Sequence, residues 1–194
     1  MHMPTLETER LLIRPFTLDD LDALYHILDV ELHDAELGTE GAMARDERRR
    51  WLEWSVLNYE QLAKMYQPPY GDRAVVLRAD NRLIGACGYV PCLAPFGQLP
   101  GFTLAAQATT GLSTAEFGLY YAFSPAYQRQ GYASEAAGAL VAYALDVLKL
   151  KRIVATTTYD NAGSMGVMRR LGMRIERNPL PEPPWLQVVG VLER

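Results

Sequence analysis

The stretch from Glu116 to Thr158 constrains this chain most. A short β-prone run through Phe123 meets Ser124-Pro125 and a glycine-bearing turn. Small and apolar residues then recur at helical spacing from about Gly131 to Lys149. Ala133, Ala137, Leu140, Ala144 and Val147 are expected as the buried stripe of that helix. A β-branched run, Arg152 to Thr158, reads as the next strand. Asp160-Asn161 then caps a helix ending near Leu171-Gly172, and Met173 to Arg177 returns as a strand.

The turn Gln128-Arg129-Gln130-Gly131-Tyr132-Ala133-Ser134 carries chemistry because it opens a helix. The first four backbone N–H groups of a helix have no partner within it, and its dipole places about half a positive charge there. A phosphate is a natural ligand for such an end. Small residues at 131 and 133 let its oxygens approach the backbone, and Arg129 can add a charge-assisted contact. The local pattern alone is equally that of a glycine easing a turn.

The rest of the chain reads as follows. Arg10 to Phe16 is a strand, and Thr17-Leu18-Asp19-Asp20 is a capping box opening a helix to about Asp29. Leu52, Val56, Tyr59, Ala63 and Tyr66 fall on one face of a second helix, Arg45 to Tyr66, which Gln67-Pro68-Pro69-Tyr70-Gly71 ends. Arg73 to Ala79 and Arg82 to Val90 form a hairpin about Asp80-Asn81. Pro91 to Ser113 has no sustained period and is expected as a long connection, a lid or substrate loop. Pro179, Pro181, Pro183 and Pro184 turn the chain before a last strand, Trp185 to Leu192. Neither a repeat nor a linker interrupts the pattern, so residues 1–194 are expected to form a single domain.

Composition narrows the function classes. With 194 residues, 19 Lys+Arg and 23 Asp+Glu, the net charge is −4, without the broad basic excess that binding a nucleic-acid backbone requires. Cys87 and Cys92 lack partners at zinc spacing and read as reduced thiols, and no metal is expected. No stretch approaches the roughly 18 apolar residues of a membrane span, so a cytoplasmic protein without a membrane partner is expected. His26 and His33 have no spaced partner. Arg48-Arg49-Arg50 reads as a solvated helix face, and Trp51, Trp54, Tyr59 and Tyr66 as core or pocket lining.

Three separated elements carry a family resemblance. Ser124 through Ala136 resembles the acyl-CoA pyrophosphate signature of the GNAT N-acetyltransferases, Gln/Arg-x-x-Gly-x-Gly/Ala. Asn161-Ala162-Gly163-Ser164, followed by Leu171-Gly172-Met173, is similar to the Asn-x-x-Ser … Leu-Gly-Phe segment of the same superfamily. The opening Leu6-Glu7-Thr8-Glu9-Arg10-Leu11-Leu12-Ile13-Arg14-Pro15 resembles its RimJ/RimL-like branch. The resemblance implies an α/β (α+β) fold: a mixed, mostly antiparallel sheet flanked by helices. A splay is implied between the fourth and fifth strands, the one ending at Phe123 and the one beginning at Arg152.

It also implies an acetyl-CoA co-substrate and an amine acceptor, a peptide N-terminus or a small amine, and it admits a homodimer. Pantetheine would pair with the backbone of Tyr121, Ala122 and Phe123, and the pyrophosphate would rest on Gln128, Arg129, Gln130, Gly131, Tyr132, Ala133 and Ser134. Asn161 would support the pantetheine amides. Acetyl transfer needs a base for an ammonium near pKa 10 and a donor for a departing thiolate. Glu116 matches the acidic residue of this branch and is the candidate base, while Ser164 is the candidate donor to sulfur. Tyr121 and Tyr159 are alternative proton donors. Two departures stand out: the strand before Asn161 has no carboxylate, leaving Glu116 alone as base, and Met173 replaces the usual Phe. The rival readings are a non-catalytic acyl-CoA-binding module and a nucleotide site; the missing Lys-Ser/Thr after the glycine argues against the latter.

Overall fold

The computed structural model of the chain describes residues 2–33, 41–102 and 113–194. In chain order its elements are strands β1 (Leu6–Glu7) and β2 (Leu11–Arg14), then helices α1 (Leu21–Tyr25) and α2 (Arg45–Lys64). Strands β3 (Gly71–Leu77), β4 (Leu83–Ala94) and β5 (Thr114–Phe123) follow, then helix α3 (Tyr132–Ala142) and strand β6 (Arg152–Thr157). Helix α4 (Ala162–Arg170) and strands β7 (Arg174–Arg177) and β8 (Val188–Glu193) complete the chain. The fold is mixed α/β, with eight mostly antiparallel strands and flanking helices, as the resemblance implied. Two compact units share the chain, Met1–Tyr89 with Tyr120–Leu140, and Val90–Leu119 with Val141–Arg194. Strands β4 and β5 contribute residues to both.

In the first unit the strand order is β1-β2-β3-β4-β5. β2 pairs antiparallel with β3 from Leu11↔Leu77 to Arg14↔Ala74, and β3 pairs antiparallel with β4 from Gly71↔Tyr89 to Val76↔Leu83. The hairpin forms where expected because Asn81 takes φ 57°, a left-handed conformation that asparagine tolerates. Phe16, Leu21, Leu24, Ile27, Leu28, Leu52, Val76 and Ala86 pack into one cluster. The single helix expected over Thr17–Asp29 is three pieces: a 3-10 turn Leu18–Asp20, α1, and a wide π turn His26–Glu31. The Asp20 carboxylate accepts from the Thr17 N–H at 2.8 Å and takes both Arg14 guanidinium nitrogens at 2.7 Å.

α2 departs from its expected stripe at both ends. Tyr66 is 92% exposed, because the helix stops at Lys64 and Tyr66 leaves it at φ 57°. Arg48, expected in solvent with Arg49 and Arg50, is buried: its Nε and Nη2 donate to Asp29 at 2.7 and 2.9 Å, and the two side chains are 2% and 1% exposed. Asp29 also accepts from the Met43 N–H at 2.8 Å. Arg49 and Arg50 are exposed as expected.

In the second unit the order is β4-β5-β6-β8-β7. β6 and β8 share six antiparallel pairs, from Arg152↔Glu193 to Thr157↔Val188, whereas β5 and β6 run parallel with one pair, Gly118↔Val154. This weakly laddered junction is where the splay was expected; the short β1 makes its strands the fifth and sixth rather than the fourth and fifth. Ala94, Phe96, Leu99, Val154, Leu186, Val189 and Val191 form the apolar cluster. The expected connection from Pro91 begins later than Pro91, since β4 runs on to Ala94 and is followed by 3-10 turns at Phe96–Gln98 and Pro100–Phe102. Pro91 lies beyond the last β3 pair at Tyr89, where no β3–β4 ladder bond needs its missing N–H. Residues 103–112 of that connection lie outside the described residues.

The expected helix to Lys149 ends α-helically at Ala142 and continues as a π turn, Tyr143–Val147. The extra residue in that turn shifts the helical phase, so Tyr143, Ala144 and Leu145 are buried while Val147, expected in the stripe, is exposed. The last strand starts at Val188 rather than Trp185. No helix among the described residues is long and apolar enough to cross a membrane.

Removing one member of a buried ion pair leaves an uncompensated charge, at a cost of about 3–5 kcal/mol. Arg48→Met is expected to lower unfolding free energy by about that amount in urea titrations. The double variant Arg48→Met/Asp29→Leu recovers part of the loss. A loss below about 1 kcal/mol for the single variant would show that the pair carries no such weight.

Candidate functional site

The candidate residues fall into two groups, 121–134 in the first unit and Glu116, Asn161 and Ser164 in the second. In the first group, β5 ends at Phe123 and the Ser124 N–H bonds to the Ile84 carbonyl at 3.0 Å, which holds the start of the turn against β4. A 3-10 turn, Pro125–Tyr127, follows. Arg129 at φ 58° and Gly131 at φ 85° then reverse the chain into α3. Left-handed backbone at 131 is what requires glycine there.

The turn is braced by its own amides. Gln128 Nε2 donates to the Phe123 carbonyl at 2.9 Å, and Gln130 Nε2 to the Ala126 carbonyl at 2.9 Å. In α3 the Glu135 N–H reaches the Gly131 carbonyl at 3.0 Å. Among the described residues the N–H groups of Tyr132, Ala133 and Ser134 have no backbone acceptor. Ser134 Oγ, on the same turn, is screened from solvent with no hydrogen-bond partner among the described residues. Donors without acceptors at the positive end of a helix suit a pyrophosphate, so the residues present fit the diphosphate of a coenzyme A thioester.

A second set of contacts at the turn escaped the sequence reading. Arg10 Nη1 donates to the Gln130 carbonyl at 3.1 Å, its Nε lies 2.7 Å from Glu135 Oε2, and its guanidinium covers the Tyr132 ring at 4.3 Å. Thr8 Oγ1 donates to Glu135 Oε1 at 2.6 Å, and the Arg10 N–H to the same oxygen at 2.9 Å. Burial pushes the Glu135 carboxyl up, but these donors outweigh it and hold the group below its ordinary range. Thr8 and Arg10 lie within the motif that carried the RimJ/RimL-like resemblance. Their distance in sequence from the turn concealed the pairing.

In the second unit Glu116 sits on β5, its side chain 12% exposed, with Oε1 accepting from Arg152 Nη1 at 2.9 Å. Burial raises its carboxyl above the ordinary range, and the neighbouring Arg152 charge does not fully offset that. Arg152 also pairs with Glu193 at 2.7 Å, and Arg174 joins Glu193, at 3.5 Å, to the buried Glu176. Three carboxylates thus share two guanidiniums. Asn161 caps α4 as expected, its Oδ1 accepting from the Ser164 N–H at 2.8 Å, which places Ser164 in the first turn. Tyr159, an alternative proton donor, instead gives its hydroxyl proton to the Asn178 carbonyl at 2.6 Å. Tyr121 is half-buried on β5.

Cys87 is fully buried, and burial pushes its thiol far up. Cys92 is pushed up to about 11, first by burial and then by the Glu116 charge. Neither thiol is set up as a nucleophile. His26 and His33 are exposed; His26 Nε2 lies 3.4 Å from Glu31.

Comparison with known proteins places this arrangement. The family described as "Acetyltransferase (GNAT) domain" matches residues 10–174. The chain is 30% identical over 175 residues, 88% of its length and 83% of the relative's, to the uncharacterized N-acetyltransferase YnaD of Bacillus subtilis (strain 168). Its fold is similar to that of an acetyltransferase (GNAT family) from Bacillus anthracis, with a TM-score of 0.66, 24% identity, and 96% and 95% of the two chains covered. It is also similar in fold to RimL, a ribosomal L7/L12 alpha-N-protein acetyltransferase in complex with coenzyme A. There the TM-score is 0.62 at 16% identity, with 96% and 94% of the chains covered. With a match that spans most of its length, the chain belongs to the GNAT acetyltransferase family.

Proposed function

We propose that the protein transfers the acetyl group of acetyl-CoA to a primary amine by direct attack in a ternary complex, the acceptor being a peptide N-terminus or a small amine. The observation that carries this reading is the start of α3, where three backbone donors lack backbone acceptors among the described residues, behind a glycine turn. The coenzyme A bound to the structurally similar RimL supports it.

In this reading the amides from Arg129 to Ser134 hold the pyrophosphate, and backbone groups of Tyr121, Ala122 and Phe123 pair with pantetheine. The side-chain amides of Gln128 and Gln130 brace the turn against the carbonyls of Phe123 and Ala126, so these two residues offer the ligand their backbone. Glu116 takes a proton from the acceptor ammonium, directly or through water. The freed lone pair attacks the thioester carbonyl, a C–N bond forms and the C–S bond breaks. The Ser164 hydroxyl donates a hydrogen bond to the departing sulfur. A carboxyl raised by burial is a better base than an ordinary one, and the Arg152 charge opposes part of that rise. The other reading, a non-catalytic acyl-CoA-binding module, shares the turn but leaves the half-buried Glu116 only its ion pair with Arg152.

Calorimetric titration with acetyl-CoA, CoA and ATP, followed by thiol release against pooled amines and peptides, tests the whole. Tight acetyl-CoA binding with acceptor-dependent thiol release is expected; binding without release under every acceptor would favour the binding module. Glu116→Gln is expected to lower turnover about 100-fold with acetyl-CoA affinity unchanged. It should also remove an acid limb in the rate, which rises with pH as the carboxyl deprotonates and lies above the ordinary value of 4.5. An unchanged pH profile would remove Glu116 from the reaction. Arg10→Ala is expected to weaken CoA binding about tenfold by loosening the turn, with turnover at saturation little altered.

A further inference from the structure

The second unit contains a cavity of about 190 Å³ whose lining includes Cys92, Ala94, Phe96, Thr156 and Trp185. Strand register relates it to Glu116. β5 and β6 are parallel at Gly118↔Val154, and side chains alternate along each strand, so Glu116 and Gly118 share one sheet face with Arg152, Val154 and Thr156. A Cβ on Gly118 would run into Cys92 Sγ, so Cys92 stands over the same face and the glycine leaves room for it. The cavity and the candidate base therefore lie on one face of one unit.

The chemistry of the lining selects the occupant. Phe96 and Ala94 present carbon, Trp185 a largely apolar ring with one indole N–H, and the other polar side-chain groups among the described lining residues are one hydroxyl and a thiol that burial keeps protonated. Among the described residues no charged side chain lines it, so it suits an uncharged apolar group. Its size suits one ring or one branched alkyl group, since an apolar cavity of about 150 Å³ admits benzene. Phe96 is fully buried while Trp185 is 52% exposed, so the cavity has an inner wall and an accessible rim. On the same face, Glu116, Glu193 and Glu176 outnumber Arg152 and Arg174, a balance complementary to one added cation.

We infer that this cavity receives the side chain of the acceptor, and that the preferred acceptor is the α-amine of a residue with a compact apolar side chain, its ammonium directed to Glu116. The inference rests on the amine-acetyltransferase reading and names the acceptor class for it. Cys92, Thr156 and Trp185 set the preference and take no part in the transfer.

The test uses the full chain with L-leucinamide, L-phenylalaninamide and glycinamide, each titrated by ligand-observed NMR and then assayed for CoA release from acetyl-CoA. Leucinamide or phenylalaninamide is expected to bind about tenfold or more tightly than glycinamide, and to exceed it similarly in kcat/KM. Thr156→Trp, which fills the cavity from an exposed position, and Trp185→Ala, which removes its rim, are each expected to erase most of that preference. The KM for acetyl-CoA should stay unchanged in both. Equal binding of the three amines, or a preference that survives both variants, would overturn the inference. CoA release from glycinamide as fast as from leucinamide would overturn it while leaving the acetyltransferase standing. Selective amine binding that responds to both variants, with no CoA release from any amine, would support the cavity's selectivity and count against the transferase.

Discussion

Among the described residues, three backbone N–H groups at the start of α3 have no backbone acceptor, and the side chains of Gln128 and Gln130 before them are engaged elsewhere. A carboxylate in the first turn of a helix commonly turns back onto such donors. Glu135 stands one turn in, but its carboxylate is held by Thr8 and Arg10. Gln128 and Gln130 direct their amides to the carbonyls of Phe123 and Ala126. Arg10 is committed to Glu135, to the Gln130 carbonyl and to the face of Tyr132. These contacts leave the positive end of the helix open to the anion proposed for it, and they also brace the turn.

The second unit treats charge differently. Glu116 is one end of a chain of five ionised groups, passing through Arg152, Glu193 and Arg174 to Glu176. Burial makes the Glu116 carboxyl reluctant to ionise, and the Arg152 guanidinium compensates only in part. A base that must alternate between two protonation states needs such a balance: complete pairing would make it too weak to accept a proton, and isolation in an apolar site would leave it protonated. Phe102, stacked on the Arg152 guanidinium at 4.6 Å, restricts where that charge can go.

Elements governed by near neighbours were legible in the sequence. The Asp80-Asn81 hairpin, the Asn161 cap on Ser164, the glycine turn before α3 and the end of α4 at Gly172, with φ 79°, all formed as expected. Each depends on a few consecutive residues whose conformational preferences agree. The readings that failed needed knowledge of the other side of the contact. Arg48, Arg49 and Arg50 are the same residue type in succession, yet only the first meets a buried carboxylate, 19 positions away. Val147 followed a helical period that a π turn interrupts, and no local signal announced the interruption.

The sequence by itself determined the order of strands and helices from β2 onward, the position of the left-handed glycine and the presence of donors at a helix start. Those follow from backbone sterics and from hydrogen bonds that close within a turn or two. Tertiary structure alone decided that Arg10 would reach Gln130, 120 residues away, that Arg152 would stand against Glu116, 36 residues away, and that Gly118 would leave space for Cys92. Such pairings are set by sheet register and packing, which depend on residues far apart in the chain and leave no mark on any short segment of it.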